Sequence, residues 1–122
     1  MKKILFIEDE SALQRAVTQV LSDAGYKTFS AMDGDSGIEL AKKEVPDIIL
    51  LDLILPRRNG FDVLAELKKD PATAAIPVIV LTNLEDSDDI EKVLALGAMT
   101  YLVKTNYNLE EIMGKIKGII GE

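Results

Sequence analysis

The chain contains no cysteine and no histidine. The first absence excludes disulfides, thiolate metal sites and thiol redox chemistry. The second removes the commonest transition-metal ligand, and with it every Ser-His or Cys-His nucleophile pair. Long apolar runs are missing too. Met1-Lys2-Lys3-Ile4-Leu5-Phe6-Ile7 opens like a signal peptide, but its apolar run ends at Glu8, too early for an h-region or a membrane span. Positive charge is scarce: 14 Lys and Arg stand against 21 Asp and Glu, a net charge of −7. The lysines are scattered, so no basic block offers itself to nucleic acid or to an anionic membrane. The expectation is a cytoplasmic protein that binds neither.

What is present suits one domain over residues 1–122, with 48% of the chain apolar. Short apolar runs alternate with segments of helical period. The runs are Ile4-Leu5-Phe6-Ile7, Ile48-Ile49-Leu50-Leu51, Val78-Ile79-Val80-Leu81 and Tyr101-Leu102-Val103. Continuous runs of this length predict strands buried on both faces, as in a parallel sheet. Lys27-Thr28-Phe29-Ser30-Ala31 alternates instead and predicts an edge strand. Leu13, Ala16, Val17, Val20 and Leu21 recur at helical spacing behind Ser11 and Gln14, which are spaced as a capping box, and Gly25 is a stop signal. Further helices are expected over about 35–43, from near Asn59, over about 87–96, and after Asn108, which is spaced to cap at Glu111. Strict βα alternation predicts a doubly wound α/β fold.

In an open parallel sheet, ligands bind beyond the carboxyl ends of the strands. Glu8, Asp9 and Glu10 follow the first strand, Asp52 the third, Thr82 the fourth and Lys104 the fifth. Taken singly, each has an ordinary account: a helix N-terminus favours an acid, a turn takes an aspartate, and a surface takes a lysine. Their coincidence at one sheet edge is what those accounts leave unexplained. Clustered carboxylates repel unless a cation joins them, and hard oxygen ligands without His or Cys favour Mg²⁺. Lys104 and Thr82 add a positive charge and a donor suited to phosphoryl oxygens. Phosphoryl transfer requires mainly positioning and charge neutralisation, and Asp52 is the expected acceptor nucleophile.

Glu8-Asp9, Asp52-Leu53-Ile54-Leu55-Pro56-Arg57-Arg58-Asn59-Gly60, Pro77-Val78-Ile79-Val80-Leu81-Thr82, and Gly97-Ala98 leading to Tyr101-Leu102-Val103-Lys104 together resemble the bacterial response-regulator receiver family. The resemblance covers essentially the whole chain. It implies a flavodoxin-like (βα)5 fold with strand order 2-1-3-4-5, and Asp52 as phosphoacceptor. It further implies Mg²⁺ held by Asp9, by Asp52, by Glu8 through water and by the backbone carbonyl of Ile54. Thr82 and Lys104 would contact the phosphoryl group. Tyr101 would turn inward with Thr82 and alter the face built from the last two helices and the last strand. The implied donor is a histidine kinase or a histidine phosphotransfer protein, and the implied state is a monomer or a phosphorylation-linked dimer. The role is a signalling switch and not an enzyme turning over substrate.

Three residues depart from the family pattern. Thr105 stands where proline usually follows the lysine through a cis peptide, a bond that costs about 2.5–4 kcal/mol without proline. Asn83 replaces a small residue after Thr82, and Leu55 replaces a common methionine. Ile54 and Leu84, both apolar, flank the phosphoryl position in the family; neither can orient an attacking water, so a long-lived phosphate is expected. Other classes fit less well. A haloacid-dehalogenase-type hydrolase needs a second acid where Ile54 stands. A flavin binder needs a phosphate-binding loop where Glu8-Asp9-Glu10 would repel one. The runner-up is a receiver-like interaction module that works without phosphorylation.

Overall fold

The structure, a computed structural model, describes residues 2–82, 87–103 and 108–121. Strands and helices alternate along the chain: β1 (Lys3–Ile7), α1 (Ser11–Asp23), β2 (Lys27–Ala31), α2 (Gly34–Glu44), β3 (Ile48–Asp52), α3 (Gly60–Lys69), β4 (Val78–Thr82), α4 (Ser87–Ala95), β5 (Thr100–Val103) and α5 (Leu109–Ile120). The five strands form one parallel sheet in the order β2-β1-β3-β4-β5. This is the doubly wound fold and strand order that the resemblance implied.

Alternation of side chains along each strand divides the core in two. Leu5, Ile7, Ile49, Leu51, Val78 and Val80 pack on one face with Ile38 and Ala41 of α2, Val63, Leu64 and Leu67 of α3, and Val93 of α4. Ile4, Phe6, Ile48, Leu50, Ile79 and Leu81 pack on the other with Val17 and Leu21 of α1 and Ile112 and Ile116 of α5. The central strands β3 and β4 are buried throughout, which explains their unbroken apolar runs. Each large side chain fully buried in this way contributes about 1.5–3 kcal/mol.

Local signals set most helix starts. Asp33 Oδ1 accepts the Ser36 N–H at 2.8 Å, Asn59 Oδ1 the Asp62 N–H at 3.0 Å, and Asn108 Oδ1 the Glu111 N–H at 2.8 Å. The expected capping box on α1 is not formed. Glu10 occupies the cap position but its side chain makes no cap hydrogen bond, and Gln14 is buried with its amide turned to other partners. A second difference concerns β5. Its apolar run suggested burial on both faces, yet only Leu102 is buried in this strand, which lies at the edge where the order 2-1-3-4-5 puts it. With a neighbour on one side only, β5 is shielded less than the interior strands.

Candidate functional site

Parallel pairing brings the strand ends into line. Ile7 of β1 pairs with Leu51 of β3, so the next residues, Glu8 just past β1 and Asp52 at the end of β3, lie at the same level. Asp52 pairs with Leu81 of β4, and Thr82 with Val103 of β5, which places the threonine one step beyond the aspartate on the adjacent strand. Carboxylate oxygens of Glu8, Asp9 and Asp52 lie within 4.8 Å of one another. Glu8 is 0% and Asp52 2% exposed, whereas Asp9 opens to solvent. Thr82 is buried beside them. Four of the expected residues therefore converge. Lys104, with Asn83, Leu84 and Thr105, lies outside the described residues.

Backbone donors meet the acids. Glu8 Oε2 accepts the Glu10 N–H at 3.3 Å, and Asp52 Oδ1 accepts the Ile54 N–H at 3.3 Å. The Ile54 side chain is 58% exposed beside Asp52. Three oxygen donors this close, two of them buried, form a cluster whose mutual repulsion a divalent cation would relieve. The all-oxygen set fits a hard ion such as Mg²⁺.

The loop from β3 to α3 is fixed at both ends. Gly60 N–H donates to Leu53 O at 2.7 Å, bringing the start of α3 directly against the residue after Asp52. A Cβ on Gly60 would lie 2.3 Å from Leu53 Cα and 2.5 Å from Asp52 O, so only glycine permits this approach. Arg58 anchors the loop laterally, bonding Glu66 of α3 at 2.7 Å and Asp35 of α2 at 3.5 Å. The hydrogen bond to Glu66, and then its charge, hold the guanidinium pKa above its ordinary value. Lys42 of α2 extends the network to Asp70 at 3.4 Å. None of this was foreseen from the sequence, although the Asn-Gly pair at 59–60 carried the signal for Gly60.

Tyr101 is half-buried on β5 and packs against the core face shared by α2, α3 and α4. A crevice with essentially no room for water is lined by Tyr101, Thr82, Leu53, Asp89, Ile90 and Val93. Tyr101 and Thr82 thus border one space between β4, β5 and α4.

The sequence pattern of the response regulator receiver domain matches residues 4–117. The chain belongs to the response regulator receiver family. This receiver is 40% identical over 120 residues to the transcriptional regulatory protein CiaR of Streptococcus pneumoniae, covering 98% of this chain and 52% of that protein. It superposes with a TM-score of 0.82 and 34% identity on the Mn(2+)-bound form of response regulator Rcp1, covering 98% of this chain and 91% of that one. The receiver domain of sensor histidine kinase PA1611 from Pseudomonas aeruginosa, solved with a magnesium ion coordinated in its active-site cleft, gives a TM-score of 0.89 at 27% identity, covering 99% and 98% of the two chains. The receiver spans about half the length of the first curated relatives it matches. Among its described residues no helix is long and apolar enough to cross a membrane.

Proposed function

We propose that Asp52 accepts a phosphoryl group from a partner's phosphohistidine in a Mg²⁺-dependent reaction, and that the modification alters the surface formed by α4, β5 and α5. The observation that carries this reading is the convergence of Glu8, Asp9 and Asp52 oxygens within 4.8 Å at one sheet edge. The metal-bound receivers with the same fold support the choice of a divalent ion. Asp9 and Asp52 would hold it directly, Glu8 through water, and Ile54 through its backbone carbonyl. Bound there, Mg²⁺ supplies positive charge to phosphoryl oxygens.

The remaining chemistry belongs to the chain. An Asp52 carboxylate oxygen forms the new O–P bond while the donor's N–P bond breaks and the imidazole leaves with that electron pair. Asp52 is 2% exposed, so the donor reaches it from the side where Asp9 and Ile54 face solvent. The Thr82 hydroxyl and the Lys104 ammonium would donate to the transferred group. Because Thr82 and Tyr101 border the same crevice, movement of Thr82 toward the phosphoryl group opens space into which the Tyr101 ring turns.

The test uses acetyl phosphate as a small donor, with intact-mass detection. The expected result is a gain of one phosphoryl group that disappears in Asp52→Asn and on chelation of Mg²⁺. An unchanged mass in Mg²⁺ buffer would overturn the reading and leave an interaction module that works without phosphorylation.

A further inference from the structure

Gln14 lies in the first turn of α1, is only 8% exposed, and has no part in the chemistry described above. Its side-chain amide donates to Glu8 O at 3.0 Å and to Ala31 O at 3.0 Å. The Ala31 carbonyl also accepts the Glu8 N–H at 3.0 Å. Gln14 thus bridges the ends of β1 and β2 at the point where β1 delivers its acids. The Glu8 main chain is held on both sides, its N–H by β2 and its carbonyl by α1.

That carbonyl belongs to the planar peptide joining Glu8 to Asp9, so one bond to it orients both residues. Without such a tie the peptide could rotate, and the repulsion among three carboxylates would favour rotation that spreads them. We infer that Gln14 is a positioning residue for the acidic site: its amide locks the Glu8–Asp9 peptide so that both side chains stay within reach of one ion. The inference rests on reading Glu8, Asp9 and Asp52 as a Mg²⁺ site. The amide suits this role because it is a neutral double donor. A carboxylate could not donate, and a buried cation would compete electrostatically with the ion.

The test compares Mg²⁺ affinity, by calorimetric titration of the unphosphorylated protein, with the Mg²⁺ requirement for phosphorylation by acetyl phosphate. Gln14→Met keeps the bulk and removes the donors; the expected result is a Kd for Mg²⁺ raised about tenfold, the usual cost of losing a group that orients a metal ligand. The Mg²⁺ concentration giving half-maximal phosphorylation should rise by the same factor, with the rate at saturating Mg²⁺ close to that of wild type. Gln14→Asn, which keeps an amide one methylene short of the carbonyls, should weaken Mg²⁺ in the same direction and carries the test if Gln14→Met does not fold. Thr73→Val is the control. It removes another buried hydrogen bond, from the Thr73 hydroxyl to Leu67 O at 2.6 Å, in the α3–β4 connection at the opposite edge of the sheet. It should lower stability and leave Mg²⁺ affinity unchanged. Wild-type affinity in folded Gln14→Met or Gln14→Asn, or equal weakening in Thr73→Val, overturns the assignment of Gln14 alone. A wild-type protein that binds no Mg²⁺ overturns the site itself, and the inference with it.

Discussion

Replacing Gly60 with alanine asks how closely α3 must approach the end of β3. The added Cβ would sit 2.3 Å from Leu53 Cα and 2.5 Å from Asp52 O, well inside ordinary contact, and both neighbours are backbone. Neither can swing away as a side chain would. Relief requires moving the start of α3 by about 1 Å, which stretches the 2.7 Å bond from Gly60 N–H to Leu53 O. Overpacking of this kind typically costs about 1–3 kcal/mol. Against it stands the gain from removing a glycine, about 0.5–1 kcal/mol in helix preference and unfolded-chain entropy. The balance is a loss of roughly 0–2.5 kcal/mol in Gly60→Ala. Gly118, on α5, provides the opposite case, since a Cβ there meets nothing within 4 Å. Gly118→Ala should therefore stabilise by about 0.5–1 kcal/mol. Urea unfolding followed by circular dichroism reads both as shifts in midpoint at constant slope. A Gly60→Ala protein as stable as Gly118→Ala would refute the claim that backbone crowding after Asp52 demands glycine.

Two further outcomes follow from local conformation. Val45 caps α2 at φ 43°, a left-handed conformation poorly suited to a β-branched residue. Val45→Asn should raise stability by about 0.5–1 kcal/mol in the same urea assay, and a loss would show that its side chain packs better than its exposure suggests. Asp33 caps α2, and the backbone N–H of Ser36 is the main reason its pKa lies below the ordinary aspartate value of 3.8. A depressed carboxyl pKa contributes stability that is complete above the unfolded value and lost as pH falls through the folded one. Asp33→Asn keeps the cap and removes the charge, so the stability gap between it and wild type should close as pH falls below 3.8. A gap that stays constant to low pH would mean the charge contributes nothing.

The order of elements was legible because its signals are local. Short unbroken apolar runs mark most of the strands and a period of 3.6 marks the helices, and Asn59 and Asn108 cap the helices that follow them. The candidate site was legible for a related reason. A parallel sheet gathers whatever follows its strands, so Glu8, Asp9, Asp52 and Thr82 could be placed together once those strands were recognised. Gln14 shows where local reading failed. Its spacing from Ser11 matches a capping box, but the carbonyl at the end of β2 offered its amide a buried partner that no sequence window contains.

By itself, the sequence determined the alternation of strands and helices, the acids at the strand ends and the exclusion of histidine and cysteine chemistry. Only the tertiary structure decided that Gln14 ties α1 to Glu8 and Ala31, that Gly60 must lack a side chain, and that Arg58 joins the β3–α3 loop to α2. The physical reason is range. Periodicity and caps act within a few residues, whereas these contacts exist only once separate segments have been packed against one another.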